Sequence, residues 1–180
     1  MTESAPLADV IFRDAVASDA AALSVIGAQS FIDTFGHLYQ PADLALFLTK
    51  HDVAHWAADL ADPTLSIRIG EAGSAAAAYA KVSPVDLPVE RDASRHALEL
   101  KQFYVLGPWH GSGVAATLMD WVLAEARERG AHDLYLSVFT QNNRARRFYE
   151  RYGFEVIGQW AFMVGDHPDE DYLMRLRLDD

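Results

Sequence analysis

A glycine-rich turn separates a strand-like segment, residues 98–106, from an amphipathic helical segment that runs from Gly113 to Arg129. The first main-chain amides of a helix lack partners and carry partial positive charge, and glycines let an anion approach them closely. The turn therefore predicts a phosphate-binding loop, made of His110, Gly111, Ser112, Gly113, Val114 and Ala115. As an isolated motif, Gly-Ser-Gly is more typical of a tight turn that needs glycine only for its backbone angles.

A second segment with chemically useful side chains follows the strand-like residues 134–139. Its pattern predicts a short helix over 142–152 that ends before Gly153. One face of this helix is apolar and aromatic, as in a core-packed helix, and carries Ala145, Phe148, Tyr149 and Tyr152. The same helix has four arginines that could pair with phosphates, of which 146 and 151 fit a solvated face better: Arg144, Arg146, Arg147 and Arg151.

Two other glycine-rich motifs compete for the same turn. Residues 111–116 also fit the loose dinucleotide pattern G-x-G-x-x-G/A, and Asp133 follows at about the 20-residue distance expected of a ribose-binding acid. Asp133 precedes the next strand instead of ending it, however, and more than half of the chain lies before the turn, so this alternative is weak. No Gly-Lys-Ser/Thr follows the turn, which excludes a P-loop.

The chain offers little for thiol or metal chemistry. It has no cysteine, which excludes disulfides, thiolate ligands and a cysteine nucleophile together. His51 and His55 have i, i+4 spacing, but no Glu follows His51 and no third ligand is evident. We therefore expect both histidines on a helix surface and no metal site.

Length and charge limit the classes of protein. With 180 residues, 51% of them hydrophobic, we expect a single α/β domain over residues 1–180. The net charge of −11 argues against nucleic acid binding and suits a cationic substrate, although acidity also serves solubility alone. Residues 1–9 lack a basic segment, and the apolar stretch 75–80 is far shorter than the about 20 residues that cross a bilayer. We expect a cytoplasmic protein without membrane contact; its oligomeric state stays open, with a homodimer as one option.

The remaining segments predict the elements that position these residues. Helical spacing follows Ser18 and Pro41 and recurs near His55, and residues 83–94 read as an exposed loop. Strand patterns occur at 10–13, 65–71, 75–82, 154–157, 160–164 and 172–178.

Together, the two motifs resemble those of the GNAT acyltransferases. The loop matches that family's Arg/Gln-x-x-Gly-x-Gly/Ala, with His110 in first position where Arg or Gln is usual. The later helix matches the family's Asn-x-x-Ala-x-x-x-Tyr followed by Gly-Phe, through Asn142, Ala145, Tyr149, Gly153 and Phe154. The distance between the motifs and the order of elements also agree, so the resemblance covers nearly the whole chain.

The resemblance implies a fold and a co-substrate. The fold is α/β (α+β), with a mixed, mostly antiparallel sheet of about seven strands, helices on both faces, and the fourth and fifth strands splayed apart. The co-substrate is acetyl-CoA, without a metal; its diphosphate meets the loop amides and its pantetheine arm pairs with the first splayed strand. The implied CoA-binding residues are Phe103, Tyr104, Val105, Leu106, His110, Gly111, Ser112, Gly113, Val114, Ala115, Asn142, Ala145 and Arg147.

The same resemblance implies roles in catalysis. Free amides on the splayed strand would polarise the thioester carbonyl, and a neutral amine would attack directly. Tyr149 matches the tyrosine that acts as general acid, and Glu99 on the central strand is the leading candidate for general base, with a solvated strand residue as the equal alternative.

Within the family, three segments are similar to the bacterial polyamine N-acetyltransferase (PaiA-like) subgroup: 31–39, 162–166 and 171–174. This implies a polyamine acceptor such as spermidine or spermine, with Asp33, Phe35 and Tyr39 as candidate substrate-binding residues. Asp166, Asp169 and Asp171 could attract a cation too, but fit ordinary surface charges better. The alternatives are another small amine, a protein N-terminus, or a CoA-binding module without catalysis.

Overall fold

All strands in the described residues, 9–179 of the computed structural model, join one sheet. They are β1 (Val10–Asp14), β2 (Ser66–Ala72), β3 (Ala75–Pro84), β4 (Ala97–Val105), β5 (Asp133–Phe139), β6 (Glu155–Val164) and β7 (His167–Arg177). Their order is β1-β2-β3-β4-β5-β7-β6, and every neighbouring pair is antiparallel except β4 and β5. The predicted seven-stranded, mostly antiparallel sheet is confirmed.

Helices cover both faces of the sheet, as predicted. They are α1 (Ala20–Phe35), α2 (Pro41–Leu48), α3 (Val53–Ala61), α4 (Val114–Glu128) and α5 (Asn143–Arg151). Successive side chains of a strand point to opposite faces. On β3, Ala78, Ala80 and Val82 pack in the cluster that contains α4, whereas Tyr79 packs in the cluster of α1 and α3. The main core therefore lies under α4.

Strands β4 and β5 pair for only three residues and then separate. The pairs are Ala97 with Asp133, Leu98 with Leu134, and Glu99 with Tyr135. On the other edge of β4, Leu100 pairs with Val82 and Gln102 with Lys81, which leaves Lys101 as a bulge. After Glu99, β4 stays paired with β3, whereas its edge toward β5 faces the gap. The predicted splay between the fourth and fifth strands is confirmed.

The closing hairpin differs from the sequence prediction. β6 is one continuous strand with a bulge between Val156 and Gly158, where the sequence predicted two strands. β7 begins at His167 instead of Tyr172. Its first residues pair with β6 alone, because β5 reaches only as far as Asp171. Pro168 is tolerated there, since a proline at a strand edge loses no ladder bond.

Candidate active site

A cavity of about 480 Å³ opens where β4 and β5 separate. Glycines of the turn before α4 and alanines of the first turn of α4 line one part of it, and β4 and α5 line the middle. The remaining wall joins aromatic rings of α1, of the segment that follows α1 and of β6 to two carboxylates of β7. We call this wall the acidic aromatic cluster; it consists of Phe31, Phe35, Tyr39, Phe162, Asp169 and Asp171.

The turn before α4 has the backbone that a phosphate loop needs. Gly111 has a φ of 78° and Gly113 a φ of 96°, values at which a side chain is strained. A Cβ atom built on Gly111 meets nothing within 4 Å, so the turn faces open space. Gly113 precedes α4, and among the described residues no side chain caps this helix. The first amides of α4 are therefore available to an anion.

Ser112 and Val114 can contribute to anion binding only through their main chain, because their side chains are engaged elsewhere. The Ser112 hydroxyl donates to the Trp109 carbonyl oxygen at 2.7 Å, which holds the side chain within the turn. The Val114 side chain is fully buried in the core under α4. Ala115 lines the cavity, as the sequence predicted, and so does Ala116.

The His110 side chain bridges β4 and α5. Its Nδ1 lies 2.6 Å from Arg144 Nη1, and its Nε2 lies 2.7 Å from the Val105 carbonyl oxygen. Because a guanidinium group only donates, Nδ1 must accept, and the ring is neutral with its proton on Nε2. Burial lowers the pKa of His110, and the neighbouring positive charge of Arg144 acts in the same direction.

The strand segment expected to meet pantetheine lies in the cavity wall, with one exception. Phe103, Tyr104 and Val105 line the cavity. Leu106 does not: its amide donates to the Ala77 carbonyl oxygen at 2.9 Å, and the residue lines a small neighbouring pocket. The main-chain groups that can face the gap therefore lie within 103–105, where alternate residues point to β3 and to the gap.

Tyr149 is both a core residue and a cavity residue. It is 8% exposed, and its ring contacts those of Phe103, Phe148 and Phe154. Within the described residues no hydrogen-bond partner occupies its hydroxyl. Burial raises the pKa of Tyr149 far above its ordinary value, so the phenol keeps its proton at neutral pH.

At the start of α5, two other predicted residues line the cavity and a third does not. The Asn142 side chain accepts from the Ala145 amide at 3.2 Å and so caps the helix, and both residues line the cavity. Arg147 is exposed and lies outside the lining. The arginines that do line the cavity are Arg144 and Arg151.

Glu99 is buried, but away from the cavity. Its carboxylate accepts from the Asp86 amide at 2.8 Å and so holds the loop after β3. Burial raises its pKa. The structure therefore places Glu99, the predicted base, outside the cavity lining and gives its carboxylate a hydrogen-bond donor in the loop after β3.

The acidic aromatic cluster contains residues that sequence reasoning undervalued. Asp169 and Asp171 are each 6% exposed, and the Tyr39 hydroxyl donates to Asp169. Burial raises the pKa of Asp171 to about 6, with a smaller contribution from the charge of Asp169. Phe35 and Tyr39 line the cavity as predicted, whereas Asp33 lines only the neighbouring pocket and accepts from Gln29.

Comparison with known proteins identifies the family. The model of the acetyltransferase (GNAT) family matches residues 29–154. The chain belongs to the GNAT acetyltransferase family. An uncharacterized N-acetyltransferase of Mycobacterium tuberculosis is 34% identical over 158 residues, which cover 87% of this chain and 96% of the relative. A second, from Lactobacillus delbrueckii, is 26% identical and covers 85% and 88%.

Solved structures share the GNAT fold. The PaiA N-acetyltransferase of Thermoplasma acidophilum in complex with coenzyme A superposes with a TM-score of 0.74 at 15% identity, covering 93% of this chain and 98% of that one. A ribosomal-protein-alanine N-acetyltransferase of Brucella melitensis gives 0.69 at 23% identity, covering 93% and 99%. A putative acetyltransferase of Salmonella typhimurium with acetyl-CoA gives 0.67 at 22%, covering 95% of both.

This chain is a GNAT acetyltransferase, and its cavity has features that suit acetyl-CoA, the co-substrate that the sequence predicts. The positive-φ glycines and the uncapped start of α4 suit a diphosphate, and the gap beside 103–105 leaves a strand edge for an amide-bearing arm.

Metal and membrane features do not alter this assignment. Between residues 9 and 179, no cluster of three metal-ligating side chains occurs and no helix is long and apolar enough to span a membrane. His51 is buried, not on the surface as expected, and His55 pairs with Asp52. Of the N-terminal residues 1–9 considered above, only Asp9 lies within the described part of the chain.

Proposed function

We propose that this enzyme acetylates the primary amine of a small cation, with polyamines as the first candidates. The observation that carries the proposal is the pair of buried carboxylates in the acidic aromatic cluster, Asp169 and Asp171. Asp169 accepts from Tyr39 and lies 3.4 Å from His167 Nε2, and Asp171 accepts from Ser137. Burial nevertheless raises the pKa of Asp171, so a bound cation would offset a cost that remains. We place the reaction in the cytoplasm, as the sequence predicts.

The cluster combines the two properties that an alkyl ammonium ion requires. Its carboxylates attract the charge, and aromatic faces attract cations while covering the methylene groups beside them. Phe31 packs against Phe35 and Tyr39, so the rings form one continuous wall. A chain of methylene groups with ammonium ends would match this wall better than a neutral or anionic acceptor.

Asp171 is our candidate for the group that takes the proton from the acceptor. An alkyl ammonium ion has a pKa near 10.4, so it must lose a proton before it can attack. A base works best when its pKa lies near the working pH, and burial raises that of Asp171 to about 6. Glu99 would need a relay of water molecules, since its carboxylate is bonded to the Asp86 amide.

Tyr149 is our candidate for the general acid. Acetyl-CoA supplies the acetyl group, and its thiolate needs a proton as it leaves. The Tyr149 phenol is protonated at neutral pH and lines the cavity beside Phe103 on β4. Main-chain amides of β4 that face the gap would stabilise negative charge on the thioester oxygen.

An amine panel tests the proposal. Free-thiol release from acetyl-CoA is measured with spermidine, a diamine, a monoamine of similar length, and a peptide with a free N-terminal alanine. We expect kcat/KM for spermidine to exceed that for the monoamine by about tenfold, because the second charge meets the second carboxylate. Asp169→Asn should remove most of this difference.

Preference for the peptide would contradict the polyamine proposal. The Brucella melitensis neighbour is named for acting on a ribosomal-protein alanine, and its TM-score is close to that of the PaiA enzyme, so the fold alone does not decide. Equal rates with the monoamine and spermidine would remove the role of the paired carboxylates.

A further inference from the structure

His110 and Arg144 form a bridge beside the phosphate loop that the sequence motifs do not describe. Thirty-four positions separate them, and Arg144 belongs to the first turn of α5. Arg144 donates to His110 Nδ1 at 2.6 Å, and His110 donates through Nε2 to the Val105 carbonyl oxygen at 2.7 Å. Both ring nitrogens are thus engaged by the protein, between the end of β4 and the start of α5.

This arrangement changes which side chain can meet an anion. A neutral imidazole has one donor, and here Val105 takes it. Arg144 keeps most of its five N–H donors, is exposed, and lines the cavity together with Gly111 and Gly113. We propose that Arg144, held in place by His110, binds a phosphate of CoA, and that His110 is a positioning residue that makes no phosphate contact itself.

The chemistry of the two groups supports this division. A guanidinium group pairs with phosphate through two parallel hydrogen bonds and stays charged at every working pH. Fixing its long side chain before binding reduces the entropy lost on binding. Arg147, which the sequence favoured for this contact, points away from the lining. The proposal rests on the use of acetyl-CoA and is independent of the acceptor, so its failure would leave the proposed acceptor untouched.

Calorimetric binding of CoA to the free enzyme tests the phosphate contact. We expect Arg144→Ala to raise the Kd at least about tenfold, because the loss of even one charge-assisted hydrogen bond would have that effect. Arg127→Ala is the matched control, because it removes the same charge from the far end of α4, about 20 Å along the helix, and should bind CoA as the wild type does. A Kd for Arg144→Ala equal to that of Arg127→Ala would overturn the proposal. So would an equally large effect of Arg147→Ala.

The positioning role has its own signature. His110→Phe removes both hydrogen bonds, and we expect it to raise the Kd about threefold because Arg144 is no longer held. In the Arg144→Ala background it should add nothing further, whereas two independent phosphate contacts would add. His110→Gln can donate to Val105 and accept from Arg144, so it should restore binding; failure of this rescue in a folded variant would show that His110 contacts the ligand directly.

A truncated donor separates phosphate binding from damage to α5. S-acetyl-pantetheine has the thioester arm but no diphosphate. We expect Arg144→Ala and the wild type to turn it over with the same kcat/KM, while kcat/KM for acetyl-CoA falls about tenfold through KM. An equal fall with both donors would mean that the substitution displaces α5, and would refute the phosphate contact.

Discussion

Asp171→Asn should make the protein more stable and the enzyme less active. Burial raises the pKa of Asp171 from 3.8 to about 6, which means that the folded state holds the charged form at a cost. Between these two values the folded state binds more protons than the unfolded state, so the free energy of unfolding falls as the pH rises through this range. Above pH 6 both states are ionised and the whole cost is present.

The size of the effect follows from the two pKa values. The full cost at pH 8 is about 3 kcal/mol, and about 1 kcal/mol of it is already present at pH 4.5. Asparagine keeps the shape of the side chain and an oxygen that can accept from Ser137, but it carries no charge. We therefore expect Asp171→Asn to raise the free energy of unfolding by up to about 3 kcal/mol at pH 8 and by about 1 kcal/mol at pH 4.5.

Urea denaturation of the free enzyme at both pH values measures this difference. Glu170→Gln is the matched control, because Glu170 is an exposed carboxylate on the same strand, between the two buried ones. Its stability should follow the wild type. Turnover of the best amine at pH 8 should fall about a hundredfold in Asp171→Asn, and the low-pH limb near pH 6 should disappear from its kcat/KM profile. A variant that is no more stable than the wild type at pH 8 would refute the reasoning.

Three further substitutions separate the roles assigned to the cavity. Tyr149→Phe should lower kcat, measured by free-thiol release, about a hundredfold, and should leave the Kd for CoA, measured by calorimetry, unchanged. Full activity of this variant would exclude Tyr149 as the general acid. Gly113→Ala should cost about 1 to 2 kcal/mol of stability and weaken CoA binding, while Gly73→Ala, at a φ of 64° in the β2–β3 turn, should cost a similar amount and leave binding unchanged. Glu99→Gln should keep kcat/KM within about twofold, because the amide oxygen can still accept from Asp86; a hundredfold loss would make Glu99 the base.

The glycine turn before α4 and the helices α4 and α5 could be predicted because their signals are local. A positive φ at Gly113, the amphipathic face of α4 and the cap from Asn142 to Ala145 each depend on residues within one or two turns. The splay of β4 and β5 was implied by the family resemblance. The bulge at Lys101, where the pairing of β4 with β3 shifts by one residue, has no local signal in the sequence.

The carboxylates of β7 could not be predicted because their burial depends on distant elements. A stretch with a proline and several acids resembles a loop, and it becomes a strand only by pairing with β6. Alternation then turns Asp169 and Asp171 to the same face. On that face, Asp169 meets Tyr39, which follows α1 and lies 130 residues earlier in the chain. The contact between His110 and Arg144 could not be predicted for the same reason, since Arg144 comes from another element.

The way in which the sheet opens explains why all of these groups share one cavity. β5 separates from β4 after Glu99 but remains paired with β7 along its full length, so that Phe139 lies opposite Asp171. Because β7 stays paired with β5, the separation of β5 from β4 also moves the carboxylates of β7 away from β4. The turn before α4 and the start of α5 follow the ends of the two diverging strands. The free edge of β4 and the position of the acidic wall therefore both depend on the same separation of β4 from β5.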